Sequence, residues 1–509
     1  MLLRPRHRGW PARTASSTAS APKTSGAWAS DPTVATTRQG LLRGTQDGDT
    51  TVWKGVRFAE APTGPHRFAP PRPVQPWDGV RDATAFGDEP LQVVAGGPSG
   101  ATTPQSEDCL FLNVWLQGTT GRRPVIVWIP GGGFINGAGS LNEGSVYDGS
   151  VYARRADTVF VTINYRLNAF GYLHQPDRPG SGAGLLDQIE ALHWVRANIA
   201  AFGGDPDNIT VMGESAGGMS LGVLLGTPQA RGLFRRAIVQ SGGVRPVVSP
   251  QGIDFSTETI VKLLGLDPAE QLIDVPAQDL LAAASTLGTG NSDVRSEPFH
   301  PVVDGVVLRR HPLDRLTSKV EVLIGTCDKD YIPGQPWSAQ IEYGVRHAVG
   351  DAGHDRILAA YTATLSPGRD PKSDLLSSAF VQMPSIWLAE ALLRDGATVR
   401  QYTFDYADAT GLGPLHASDV PYTFGAVRTQ YLAPTADPVV AQGLADKMVD
   451  AFSAFARSGD PSTPALPEWP AITWDDRRTM SFDAEPRLKE DRLPAERRAA
   501  WDGGDPHSI

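Results

Sequence analysis

Cysteine is nearly absent from the 509 residues: only Cys109 and Cys327 occur. Two widely separated thiols exclude a disulfide-stapled scaffold and offer no paired spacing for zinc. They predict a reducing compartment, and with it residence in the cytoplasm. Basic charge is also in deficit, with 46 Lys+Arg against 56 Asp+Glu and a net charge of −10. No nucleic-acid partner is expected, since such binding needs a basic surface. Long apolar runs are missing. The richest stretch, Val125 to Ile129, is far short of the roughly 18 residues that span a membrane, so no membrane span is expected. Nor does an apolar core follow Arg4, Arg6, Arg8 and Arg13, so no cleavable signal is read. The Ser-, Thr-, Ala- and Pro-rich residues 15–30 predict a disordered extension over residues 1–30.

What is present is ordinary globular composition, 40% hydrophobic and 20% charged, enough for a large core. From Val34 onward there is no internal repeat and no long linker, so residues 31–509 are expected to form one catalytic domain. Short β-branched runs (Val125 to Ile129, Thr158 to Ile163, Ile209 to Met212, Ala237 to Val239, Val322 to Ile324, Val399 to Phe404) alternate with helical patterns. That alternation predicts an α/β fold with a mainly parallel central sheet flanked by helices. Leu185, Ile189, Leu192, Val195, Ile199 and Phe202 recur at helical spacing, with Gly203-Gly204 as the stop, and predict a helix with one buried stripe. Ala379 to Leu393 is helical in pattern, with Pro384 expected to kink or interrupt the helix.

The most informative residues are Gly213-Glu214-Ser215-Ala216-Gly217. As a bare G-x-S-x-G they are weak, and an ordinary glycine-rich turn is the alternative. Context strengthens them, because a buried strand runs in and a helical segment, Met219 to Leu225, runs out. A nucleophilic serine on so sharp a turn needs small neighbours on both sides. It also needs donors for a developing oxyanion. Gly131-Gly132-Gly133, after the strand ending at Ile129, lets backbone N–H groups approach a substrate unobstructed. Taken alone this run is equally a flexible turn or a phosphate cradle, although no Gly-Lys-Ser/Thr opens a helix there.

With these residues the chain resembles the type-B carboxylesterases, the cholinesterase-like branch of the α/β-hydrolases, and in particular their bacterial para-nitrobenzyl-esterase-like members. The likeness runs from about Val34 to Gly504. It includes Ser106 to Val114, Asn164-Tyr165-Arg166-Leu167, Gly184 to Gln188, Phe202 to Pro206 and Gln240-Ser241-Gly242. The resemblance implies the α/β-hydrolase fold and a serine carboxylester hydrolase with a triad in the order Ser, acid, His. The implied nucleophile is Ser215, with Gly132, Gly133 and Ala216 as oxyanion donors. The family's histidine precedes a Pro-Tyr-x-Phe-Gly-like segment, and Leu415 to Gly425 looks like it, so His416 is the implied general base.

The acid departs from the family's usual Glu. In Leu323-Ile324-Gly325-Thr326-Cys327-Asp328-Lys329-Asp330-Tyr331 the slot falls on Asp330, with Asp328 as the rival, and Asp is shorter by one C–C bond, about 1.5 Å. Tyr331 stands where a glycine is usual, and Pro130 replaces a His ahead of the glycines. Glu214 resembles a family residue that supports the site, a surface glutamate being the alternative. Cys109 lacks the partner cysteine that extracellular relatives use. The resemblance implies no metal and no cofactor, a small-molecule ester as substrate, and acyl-enzyme chemistry, leaving the leaving group and the oligomeric state open. Phe134, Phe380, Met383 and Trp387 are candidate walls for an apolar substrate group, or ordinary core.

Overall fold

Alternation of side chains between two opposite directions organises the central sheet. Val125, Val127 and Ile129 join one hydrophobic cluster, while Ile126 and Trp128 join another, because successive strand residues point to opposite faces. Both faces are covered, so these strands read as unbroken apolar runs. The computed structural model describes residues 31–507, apart from 94–102, 142, 175–181, 246–249, 267–271, 289–297, 318, 332–337, 408–412, 426 and 428–436. The extension expected over residues 1–30 lies outside the described residues.

In chain order the strands of this sheet are β1 (Thr45–Asp47), β2 (Thr50–Arg57), β3 (Phe111–Leu116), β4 (Arg123–Ile129) and β5 (Val159–Ile163). They continue with β6 (Gly204–Glu214), β7 (Arg236–Gln240), β8 (Glu321–Cys327), β9 (Val399–Phe404), β10 (Thr479–Phe482) and β11 (Arg487–Lys489). The order across the sheet is β11-β10-β9-β8-β7-β6-β4-β5-β3-β2-β1. All pairings from β5 through β10 are parallel. The two margins are antiparallel, β3, β2 and β1 on one side and β11 on the other.

Helices cover the two faces. Helix α1 (Ala183–Asn198) and α2 (Ala216–Gly226) put Leu185, Ile189, Leu221 and Val223 into the cluster that holds Val125 and Val127. On the other face α4 (Pro438–Ser458) packs Leu444, Met448, Phe452 and Phe455 with Ile126 and Trp128. Its ends follow from local chemistry. The Asp437 carboxylate accepts from Val439 N–H at 2.8 Å and Val440 N–H at 3.3 Å, Pro438 opens the first turn, and Gly459 closes the helix at φ 86°. Each fully buried Val, Leu or Ile here stabilises by about 1.5–3 kcal/mol.

One helical expectation needs correction and another is met in a particular way. α1 does not present one buried stripe: every position from Ala183 to Leu192 is buried, including Asp187, Gln188 and Glu190. Specific partners make this tolerable. Asp187 is bidentate to Arg166 at 2.7 and 2.8 Å, and Gln188 donates to Ser220 Oγ at 3.0 Å. Around Pro384 the α-helix is interrupted, the second of the two outcomes expected there. A π-turn over Ser378–Gln382 precedes α3 (Met383–Arg394), so Pro384 falls in the first turn, where its missing N–H leaves no bond broken. Among the described residues, Pro371–Arg394 is the one helical stretch with the length and mean hydropathy to cross a membrane. Of its most apolar 18-residue window, 89% is buried within the protein.

Candidate active site

The carboxyl ends of four neighbouring parallel strands, β4, β6, β7 and β8, converge on one place. Gly213 pairs with Ile129, Glu214 with Gln240, and Gln240 with Gly325. The loops leaving these ends carry Gly131 to Gly133, Ser215, Ser241 and Asp330. Open parallel sheets bind ligands at this edge.

β6 ends at Glu214 and α2 begins at Ala216, so Ser215 alone makes the turn. Its backbone sits at φ 54°, ψ −122°, a region disfavoured by about 1–3 kcal/mol. The Gln240 carbonyl holds Ser215 N–H at 3.0 Å. Glycine is required around it on steric grounds. A Cβ at Gly217 would stand 2.0 Å from Ile129 O, and one at Gly213 would stand 2.7 Å from the Gly217 carbonyl carbon. One at Gly131 would lie 2.7 Å from the Glu214 carbonyl oxygen and 3.1 Å from Ser215 Cβ.

Asp330 and His416 come from segments 86 residues apart and meet through backbone pairing. Lys329 and Leu415 form an isolated parallel bridge, with Lys329 N–H donating to Pro414 O at 3.1 Å. The following residues then face each other: Asp330 Oδ1 lies 3.0 Å from His416 Nδ1, and His416 Nε2 lies 2.8 Å from Ser215 Oγ. Asp328, the rival acid, turns away. Its carboxylate pairs with Arg369, and its backbone N–H donates to Phe404 O at 3.0 Å. Tyr331 is fixed by Ser377 Oγ on its N–H, 3.0 Å, and by Ser338 Oγ at its hydroxyl, 2.9 Å.

The glycine loop after β4 is anchored from outside. Tyr165 OH donates to Pro130 O at 2.9 Å, and Asn168 N–H donates to Phe134 O at 2.7 Å. Gly132 at φ 113° and Gly133 at φ 61° adopt conformations that favour glycine. Ala216, as the first helical residue, has an N–H with no intrahelical acceptor. Among the described residues no protein group accepts from Gly132, Gly133 or Ala216 N–H.

Three buried carboxylates surround one imidazole. Glu214, 4% exposed, is no surface residue: its Oε1 lies 3.3 Å from His416 Nε2. Burial pushes its carboxyl up to about 8, with Asp419 and Asp330 adding to the effect and His416 opposing it. Burial also raises Asp330 above the usual carboxylate range, against the pull of His416, Ser241 and Arg492. Burial alone would lower His416, but Glu214, Asp330 and Asp419 outweigh it and raise it to about 9. Sequence reasoning missed Asp419. It is fully buried and accepts from Gln240 Nε2 at 3.0 Å and Tyr402 OH at 2.9 Å. A signal existed in its position three residues after His416 and in the Gln240-Ser241-Gly242 motif, which had been given no role.

Of the candidate substrate walls, Phe380 touches the site, its ring 4.9 Å from that of His416. Phe134 is fully buried against Tyr172 and His300, Trp387 packs on Trp501, and Met383 is core. Among the described residues no group of three or more His, Cys, Asp or Glu is placed to hold a metal ion. Both cysteines are buried free thiols pushed upward by burial, as expected of small apolar side chains.

Residues 31–501 match the sequence profile described as "Carboxylesterase family". The chain is 35% identical to para-nitrobenzyl esterase of Bacillus subtilis, over 90% of this chain and 96% of that protein. It is 33% identical to phenmedipham hydrolase of Pseudarthrobacter oxydans, over 87% and 93%. Among solved structures it superposes on carboxylesterase EST55 of Geobacillus stearothermophilus with a TM-score of 0.81 and 38% identity, covering 92% of this chain and all of that one. A thermophilic PNB esterase gives 0.83 at 32% identity, covering 92% and 100%. The fold is that of the α/β-hydrolases, the enzyme acts on carboxylic ester bonds of small molecules, and the chain belongs to the carboxylesterase family.

Proposed function

We propose that Ser215, His416 and Asp330 are the triad that carries out this ester hydrolysis, within one catalytic domain over residues 31–509. Ser215 Oγ attacks the ester carbonyl carbon while His416 Nε2 takes its proton. The carbonyl oxygen becomes an oxyanion held by the N–H groups of Gly132, Gly133 and Ala216. As the C–O bond breaks, His416 returns the proton to the departing alcohol and an acyl-Ser215 remains. Water, deprotonated by His416, then releases the acid and regenerates the serine. Asp330 keeps His416 in the tautomer that accepts at Nε2 and stabilises the imidazolium. Glu214 acts from the side on the same imidazole.

The observation that carries this reading is the single imidazole spanning Ser215 Oγ at 2.8 Å and Asp330 at 3.0 Å. A fluorophosphonate probe tests it, since such reagents phosphonylate an activated serine. Peptide mass spectrometry is expected to find the adduct on Ser215 and to find labelling lost in His416→Ala. An adduct on another serine with Ser215 unmodified would overturn the assignment. Para-nitrobenzyl esters and phenmedipham, the compounds in the two relatives' names, form the first substrate panel together with chromogenic p-nitrophenyl esters.

A further inference from the structure

Behind the glycine loop lies a buried side-chain amide, that of Gln92, which is 5% exposed. It turns onto Gly137, four residues beyond the last of the three glycines. Gly137 N–H donates to Gln92 Oε1 at 2.8 Å, while Gln92 Nε2 donates to Gly137 O at 3.3 Å and to Pro90 O at 3.1 Å. One side chain 45 residues away thus engages both main-chain groups of Gly137.

Gly137 in turn backs the loop. It approaches the Gly131 carbonyl so closely that a Cβ on it would stand 2.1 Å from Gly131 O. Among the described residues every peptide is trans, and a trans peptide points its C=O and N–H to opposite sides. The Gly131 carbonyl and the Gly132 N–H share one peptide plane. With Gly131 O turned to Gly137, Gly132 N–H therefore points away from it. The next plane is held in the same manner, because Gly132 O accepts from Ile135 N–H at 3.1 Å and from Asn136 N–H at 3.0 Å. Gly133 N–H is aimed away from those two groups.

Two more buried amides lace residues 88–92 to residues 134–139. Asn164, in the Asn164-Tyr165-Arg166-Leu167 motif, accepts from Gly139 N–H at 2.8 Å through Oδ1 and donates to Asp88 O at 3.2 Å through Nδ2. Asn168 Nδ2 donates to Leu91 O at 2.8 Å, and its own N–H donates to Phe134 O at 2.7 Å. Of the three amides, Gln92 is the one that holds the residue packed on Gly131.

We propose that Gln92 is a positioning residue for the oxyanion hole: by engaging both main-chain groups of Gly137 it fixes the Gly131 carbonyl, and with it the direction of Gly132 N–H. This rests on the hole proposed above. Gln92 carries no charge and touches no substrate, so it acts on the geometry that meets the developing oxyanion and leaves the titration of His416 unchanged.

The test compares wild type with Gln92→Leu in kcat and KM for p-nitrophenyl butyrate and in inhibition by an alkyl trifluoromethyl ketone, with folding checked by Tm. Serine adds to such a ketone, and the hemiketal oxyanion mimics the transition state that the hole binds. Leucine fills the space without either hydrogen-bonding group. Gln92→Leu is expected to lower kcat by about 10–100-fold and to weaken ketone inhibition by the same factor, the scale of a misplaced donor. KM and the acid limb of the pH profile are expected to stay, as when an interaction made only in the transition state is lost. Wild-type kcat and ketone affinity in folded Gln92→Leu overturn the proposal, because a merely structural role lowers Tm and moves neither. A loss confined to KM overturns it too. Should Gln92→Leu not fold, Gln92→Met carries the test, its unbranched chain following the path of glutamine. The same losses are expected, and wild-type values overturn the proposal. Failure of the ketone to inhibit wild type would instead strike the triad and hole reading, and this proposal with it, so the two failures are distinguishable.

Discussion

Lys329 and Leu415 pair backbone to backbone across 86 residues of sequence, and that bridge sets Asp330 beside His416 at 3.0 Å. Asp330 reaches His416 because the two loops are laced together at the preceding residue, with no longer side chain needed.

Asp330→Glu is accordingly expected to be damaging, although Glu is the family's usual residue. Asp330 is fully buried, and an added methylene displaces the carboxylate by about 1.5 Å, which is worth roughly 100-fold in kcat. Asp330→Asn is expected to lose about 10⁴-fold, since an amide no longer fixes the imidazole tautomer or stabilises imidazolium. Steady-state kinetics of both variants, checked for folding by circular dichroism, decide the point. A Glu variant faster than wild type contradicts the bridge as the reason for Asp.

The pH–rate profile follows from the carboxylates around His416. With His416 as the proposed base, activity is expected to require its neutral imidazole, and the pKa of His416 is raised to about 9 by Glu214, Asp330 and Asp419 acting against burial. The acid limb of kcat/KM is therefore expected above the ordinary histidine value of about 6.5. Glu214→Gln removes one of the negative neighbours, so the limb is expected to move to lower pH by about half a unit or more. A limb that stays in place shows that Glu214 does not act on this imidazole.

Steric demands at the elbow give a stability contrast. Gly217→Ala puts a Cβ 2.0 Å from Ile129 O, where main chain on both sides must shift. A loss of about 3 kcal/mol or more is expected. Gly443→Ala sits in α4 with nothing within 4 Å of the new Cβ, and a gain of about 0.5–1 kcal/mol is expected. Denaturant unfolding of the two variants beside wild type measures both, and equal stabilities would contradict the steric account.

The parallel strands were legible because burial on both faces leaves continuous β-branched runs such as Val322 to Ile324. The antiparallel margin was not. β2 reads Thr50-Thr51-Val52-Trp53-Lys54-Gly55-Val56-Arg57, and its pairing across β3 is broken by an irregularity between Trp53 and Val56. α1 misled because a periodic apolar stripe says nothing about polar residues that find buried partners, as Asp187 does in Arg166. In the site, the glycines around Ser215 announce a local steric need and are readable in five residues. Asp419, Gln240 and Tyr402 lie on separate segments, and their meeting is a product of strand order, which no local pattern encodes.

The most direct test of the central claim is hydrolysis of p-nitrophenyl acetate by purified wild type and by Ser215→Ala, both shown to be folded. The account predicts turnover by wild type and a loss of about a million-fold in the variant, the scale expected when a nucleophile of this kind is removed. Folded Ser215→Ala hydrolysing the ester at the wild-type rate would contradict it.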